Sequence, residues 1–333
     1  MYEGNILFIK DGSPEGGMSA KWLCEWPAQA LADAGYFVDM MNYQDVPKMS
    51  RAQKRVVSHA DIIIYERHID DPWLEFLEKA SEDKRLILTL DDAYWCSDPT
   101  TTTYSFWSQN NRLEKLEEVA SWSEKVVVPS RKLAEHFPNG HFRPNRPNLK
   151  DPSWVVPPLF SDDVILWGGT MGHISGMRDH PFLEAVSRIC EREDAKFVGF
   201  AGSPDLKVIL EEIPNARVYT AQPFGEWLKF LSGAMVVACP ISGEYDLSRS
   251  WIKALEASLA GSVWVGSDCG VYDGAAGGLL VEDSADAWED AMMTVLEDRG
   301  MRSKLMEEGK VWAWKQGVHD HLDEWEEIFN DSV

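Results

Sequence analysis

Basic residues are scarce in this sequence. Lys and Arg number 32 against 55 Asp and Glu, a formal net charge of -23. That balance opposes a broad, charge-driven grip on DNA, RNA or anionic lipid and leaves room only for a local basic groove. Cysteine is sparse as well. Cys24, Cys96, Cys190, Cys239 and Cys269 are scattered, odd in number and form no CxxC pair, which excludes a disulfide framework or a zinc site and fits a reducing cytoplasm. Long hydrophobic runs are missing too. No segment approaches the roughly 18 apolar residues of a membrane span, so stable membrane insertion is not expected. The run Ile6 to Ile9 is too short for a secretory signal and is followed by charged Lys10 and Asp11. The dinucleotide fingerprint GxGxxG, an acidic DxD metal motif, low-complexity tracts and short repeat periods are all absent.

What is present is an alternation of two patterns. The 333 residues are 44% hydrophobic and 26% charged, enough chain for two sizeable cores. Short runs rich in Ile and Val, NILFIK, YFVDMM, ADIIIYE, RLILTLDD and EKVVVPS, alternate with amphipathic stretches such as 18–35, 73–82 and 111–122. Apolar strands between helices imply a parallel sheet covered on both faces. The stretch FRPNRPNLKDPSWVVPP, residues 142–158, holds five of the 17 prolines. Proline fixes its own φ and disfavours helix before it, so this segment reads as irregular chain leading to a junction near residue 160. The alternation then resumes with DVILWGG, AKFVGFAG, ARVYT, MVVACP, SVWVGS and GLLVED as strands. HDHLDEWEEIF closes the chain as an amphipathic helix. The expected class is α/β, two doubly wound parallel-sheet domains in series.

In open α/β sheets ligands bind beyond the carboxyl ends of the strands, and two loops there stand out. In DGSPEGGMSAKW, residues 11–22, adjacent Gly16 and Gly17 permit close backbone approach, and the following helix start favours an anion. A flexible turn is the plainer reading. In ISGEYDLSRSWIKALEASLAG a helix is expected to start near Ser248, capped by Asp246 or Ser248 and ended by Gly261. Ile252, Leu255 and Leu259 share one of its faces, and Arg249, Lys253 and Glu256 another. The polar stripe is either a solvated face with a weak Lys253–Glu256 pair or a ligand site. As a site, N–H groups near Ser250 with Arg249 and Lys253 hold a pyrophosphate, and Glu256, an acceptor only, takes the vicinal hydroxyls of a ribose.

SRSWIKALEASLAGSVWVGSD resembles the donor-site motif of glycosyltransferase family 4, whose fold is GT-B. Family members carry a Lys and a Glu on this helix, and many have a second Glu eight positions earlier, where this chain has Ser248. GGMSAKWLCEWPAQALADAGYFVDM, ADIIIYERH with LILTLDD, VVVPSRKLAEHF and ILWGGTMGHISGMRDH are similar to further stretches of the family, in the same order. The resemblance implies two Rossmann-like domains facing across a cleft: 1–160 on the acceptor side, 161–314 binding the nucleotide sugar, and a terminal helix at 315–333 crossing back to the first domain.

It further implies transfer of a sugar from a nucleotide-diphosphate-sugar donor to an acceptor hydroxyl, with retention. With no DxD motif and with Lys253, Arg249 and two helix starts to supply positive potential, no metal or other cofactor is expected. Glu256 then binds the donor ribose and Lys253 the diphosphate, assisted by Arg249 and Ser250. Gly16 and Gly17 approach the donor from the first domain, and Gly168, Gly169, Thr170 and His173 from the second. Asp91, Asp92, Arg67 and His68, each following a buried strand, are the candidates for acceptor or phosphate contacts and for a base. A surface-loop role remains the alternative for His173, an exposed helix-start charge for Arg249, and capping of the next turn for the two Asp residues. Most of the fifteen tryptophans read as packing. Glycan, metabolite, protein and a hydroxylated base in DNA all remain open as acceptor. Sugar epimerisation and a non-catalytic binding module are the competing functions. Oligomeric state, sugar and base are not encoded in any pattern read here.

Overall fold

The computed structural model describes residues 2–12, 18–99, 101–157, 159, 163–169, 177–192, 195–220 and 222–330. It divides into two compact units: residues 1–93, 107–149 and 316–333, and residues 94–106 with 150–315. The break therefore lies between Leu149 and Lys150 rather than near residue 160. The reason is packing. Trp154 sets its ring edge-on against Phe224 at 5.3 Å, and the Leu159 N–H donates to the Lys229 carbonyl, so the later part of the proline-rich stretch belongs to the second unit. The segment Tyr94–Phe106 also joins that unit, which no local pattern announced.

The first unit holds six parallel strands: β1 (Asn5–Lys10), β2 (Phe37–Asn42), β3 (Ile62–Glu66), β4 (Arg85–Thr89), β5 (Lys125–Val128) and β6 (Gly140–Phe142), in the order β2-β1-β3-β4-β5-β6. β6, only three residues long, escapes the sequence pattern. The central strands β1, β3, β4 and β5 are mostly buried because helices cover both faces there, whereas the edge strand β2 is largely exposed. On one face Ile6, Phe8, Ile62 and Ile64 pack with Leu31 and Tyr36. The same core takes Trp325, Ile328 and Phe329 from the Asp323–Asn330 helix. That helix is pinned by polar bonds at its rim. Arg85 donates to the Phe329 carbonyl at 2.7 Å, Tyr36 donates to Glu326, and the Arg143 guanidinium lies 4.6 Å from the Trp325 ring centroid.

The second unit also holds six parallel strands: β7 (Val164–Gly169), β8 (Lys196–Ala201), β9 (Arg217–Thr220), β10 (Val236–Cys239), β11 (Val263–Ser267) and β12 (Gly278–Val281), in the order β12-β11-β10-β7-β8-β9. Its core runs from Ile165 and Trp167 through Phe182 and Phe197 to Val265 and Trp288. Counted from β7, this is the Rossmann order 3-2-1-4-5-6 read from its other edge. The direction of winding reverses between β7 and β10, and the crevice at such a switch point is where α/β sheets receive ligands. In the first unit the equivalent reversal falls between β1 and β3.

Candidate functional site

The helix that carries Lys253 and Glu256 starts later than the sequence suggested. A short helix spans Gly243–Leu247, the chain turns through Ser248–Trp251, and the second helix spans Ile252–Ala260. Neither Asp246 nor Ser248 caps it: its N-cap is Trp251, with no side-chain cap bond. Asp246 instead accepts from the Ser242 N–H at 3.2 Å, and the Ser248 hydroxyl donates back to the Glu244 carbonyl. Both bonds close the first short helix on itself. Gly261, at φ +83°, ends the second helix in the left-handed conformation that glycine tolerates best. Arg249 therefore lies outside the helical stripe. Its Nε sits 3.7 Å from buried Asp246, and its guanidinium lies 5.1 Å from the Tyr245 ring centroid. Ser250 is half-buried in the turn.

The stripe that remains is not a solvent face. Glu256 is only 7% exposed. Its Oε2 accepts from the Trp227 indole N–H at 3.0 Å. Among the described residues nothing donates to Oε1. Burial pushes the Glu256 carboxyl up to about 7, against the opposing pull of the Trp227 bond and of the Lys253 charge. Lys253 makes no ion pair among the described residues, so the surface pair with Glu256 is not formed. Its ammonium lies 5.7 Å from the ring centroid of Trp167, a cation–π distance. Burial, then the neighbouring Arg249, lower the Lys253 pKa, while Asp246, Cys239 and Glu256 pull it back.

These groups collect at the switch point of the second sheet. Trp167, Gly168 and Gly169 form the carboxyl end of β7, and the Ile252–Ala260 helix follows β10. The two glycines are small because indoles lie against them. A Cβ on Gly168 would meet Trp227 at 2.9 Å, and one on Gly169 would meet Trp167 at 2.3 Å. Thr170 and His173 lie outside the described residues, as do Gly16 and Gly17 of the first loop.

A second cluster forms at the carboxyl ends of β1, β3 and β4 in the first unit. Arg67 Nη1 stands 3.4 Å from Asp91 Oδ1 and 3.7 Å from Glu66 Oε2. Ser19 donates its hydroxyl to Asp91, and the Asp11 N–H donates to Glu66 at 3.2 Å. Glu66, 2% exposed, is pushed up to about 7, chiefly by burial, although Arg67 and the Asp11 N–H resist that shift. His68 stacks on Tyr43 at 3.6 Å and meets the edge of Trp73. Burial, then the Arg67 charge, lower it to about 4, so its imidazole is neutral near pH 7 and offers a phosphate no charge. Asp92 follows Asp91, half-buried.

Arg67 and Asp91 are thus brought together, as are Lys253 and Glu256. Reading from sequence missed Glu66 and Trp227, and gave the buried Asp246 a capping role that it does not have. Glu66 had a signal, a lone carboxylate ending the apolar run IIIYE. Trp227 had none, because it comes from another helix.

Residues 162–298 match the family model described as Glycosyl transferases group 1. The match covers a stretch of the second unit, and it agrees with the resemblance read from sequence at the level of that group rather than of family 4. No curated protein matches the chain. Among solved structures, the chain is similar to sucrose-phosphate synthase from Thermosynechococcus elongatus, with TM-score 0.65, 14% identity, and coverage of 99% of this chain and 100% of that one. Anabaena HepE in complex with UDP and glucose gives TM-score 0.65 at 13% identity, over 99% of this chain and 100% of that one. WaaG, a glycosyltransferase involved in lipopolysaccharide biosynthesis, gives 0.61 at 14% identity, over 98% and 100%. At such identities the likeness is one of fold, and the fold is the two-domain α/β GT-B class. Among the described residues no helix is long and apolar enough to cross a membrane.

Proposed function

We propose that this protein is a cytoplasmic glycosyltransferase that takes a sugar from a nucleoside-diphosphate-sugar donor and passes it to an acceptor hydroxyl with retention at the anomeric carbon. The observation that carries this reading is the juxtaposition, at a sheet switch point, of a lysine that makes no ion pair among the described residues and a buried glutamate with one acceptor oxygen that no described residue uses. Lys253 then neutralises the diphosphate, and Glu256 Oε1 accepts from the ribose hydroxyls. Departure of the nucleoside diphosphate needs positive potential where negative charge grows. Lys253 and the uncapped first turn of the Ile252–Ala260 helix supply it, and in this reading neither a metal nor a cofactor is required. Arg249, held by Asp246, shapes the same field. On the acceptor side Arg67 and Asp91 orient the hydroxyl, and no covalent enzyme intermediate is invoked. The match to the group 1 family and the UDP and glucose bound by the structurally similar HepE support the donor class.

The test is calorimetric titration of UDP, GDP and ADP, and of the matching nucleotide sugars, into wild type and Glu256→Ala. Selective binding of one base, lost in the variant, supports the donor site. Absence of binding by every nucleotide would overturn it. With the donor known, product analysis with and without candidate acceptors separates transfer from epimerisation or hydrolysis.

A further inference from the structure

The only hydrogen bond that Glu256 receives from a described side chain comes from a different helix, Phe224–Gly233, through the Trp227 indole. That indole is itself fixed. It lies against Gly168 at the end of β7 and meets Phe200 of β8 edge-on at 5.1 Å. Phe200 is in turn packed on Tyr219 and Phe230. Trp227 remains half-buried, so it stands at the border between the core and the crevice. An apolar ring such as phenylalanine would satisfy this packing. The N–H adds something that packing does not need.

We propose that Trp227 is the positioning residue of the donor site: its indole N–H anchors one oxygen of Glu256 and leaves the other, Oε1, presented to the ribose hydroxyls of the bound nucleotide. This rests on the reading of the site as a donor site. The reasoning is one of pre-organisation. A carboxylate free to rotate must be ordered when the ligand arrives, whereas one already held by a rigid indole offers its remaining acceptor in a fixed place. The bond also favours the ionised carboxylate over the protonated one. The groups that share the field of Glu256 are Lys253 on its own helix and Cys239 on β10.

The experiment uses the full chain, with Trp227→Phe and Glu256→Gln as variants. In indole-15N-labelled protein, the Nε1–H resonance lost in Trp227→Phe is assigned to Trp227 and followed from pH 5 to 9. We expect it to shift with a midpoint near 7 and to stay fixed in Glu256→Gln. In parallel, calorimetry with UDP, GDP and ADP compares wild type with Trp227→Phe. The expected result is binding weakened about tenfold at pH 8, more at pH 6, with donor KM raised and kcat retained. A Trp227 resonance indifferent to Glu256 titration would overturn the proposal; if Trp227→Phe fails to fold, the resonance is assigned instead through its nuclear Overhauser contacts to the neighbouring Phe200 ring. Unchanged binding in a folded Trp227→Phe, with binding lost in Glu256→Ala, would reduce Trp227 to packing while leaving the donor site intact. Wild type that binds no nucleotide would remove the donor reading, and this proposal with it.

Discussion

The two units place a buried glutamate near the same topological feature and wire it differently. Glu66 stands at the end of β3, beside the switch point of the first sheet, and Glu256 sits beside that of the second. Burial pushes both carboxyls up to about 7. Around Glu66 the charges answer one another: Arg67 lies between Glu66 and Asp91, and Ser19 and the Asp11 N–H complete the cluster. Around Glu256 they do not. An indole N–H takes one oxygen, nothing described takes the other, and Lys253 rests on an aromatic face instead of a carboxylate. The first arrangement holds Arg67 and Asp91 in place by their mutual attraction before any acceptor arrives. The second is built to receive something, since buried polar groups left without partners are costly unless a ligand or water completes them.

The largest effect that sharpens this contrast is on stability. Trp325, fully buried in the first unit, should cost about 3–5 kcal/mol when replaced by alanine. Urea unfolding of Trp325→Ala should split into two transitions, the earlier belonging to the first unit. A single late transition would mean that the terminal helix contributes little to that core.

Next in size is ligand binding. Lys253→Ala should weaken nucleoside-diphosphate affinity about 30- to 100-fold, the worth of a charge-assisted contact. Glu66→Gln should leave that affinity within about twofold, because its cluster lies in the other unit. Equal losses in the two variants, read by calorimetry, would break the comparison.

A smaller effect is on pH dependence, and it has the same sign in both units. Each glutamate holds its proton up to about pH 7 when folded but releases it near 4.5 when unfolded. The folded state therefore binds more protons between these values, and stability falls as pH rises from about 4.5 to about 7, then levels. Glu66→Gln and Glu256→Gln should each flatten part of that slope in thermal melts. Nucleotide affinity should run the other way, rising as Glu256 ionises.

The smallest effect is Ser19→Ala. It removes the donor to Asp91 and should cost about 1 kcal/mol, with no change in nucleotide binding.

Much of the fold was legible because parallel strands covered on both faces must be apolar along their buried length, and the runs ILFI of β1 and IIIY of β3 are. Gly261 announced the end of the donor-site helix for a backbone reason local to that residue. Its start was misread because Arg249, Lys253 and Glu256 obey a helical period that the chain does not follow before Ile252. There Asp246 and Ser248 spend their hydrogen bonds on the preceding short helix.

What the sequence determined by itself was therefore the alternation of strands and helices apart from β6, the α/β class and the residue types of the site, all of which depend on local periodicity and backbone chemistry. Tertiary structure alone decided which groups meet. It took Trp227 from one helix to Glu256 on another, laid Lys253 against Trp167, paired Arg67 with Asp91, and assigned Tyr94–Phe106 to the second unit. The physical reason is range. Hydrophobic periodicity acts within a few residues, whereas desolvation and hydrogen bonding at a site depend on neighbours that only the folded chain brings near.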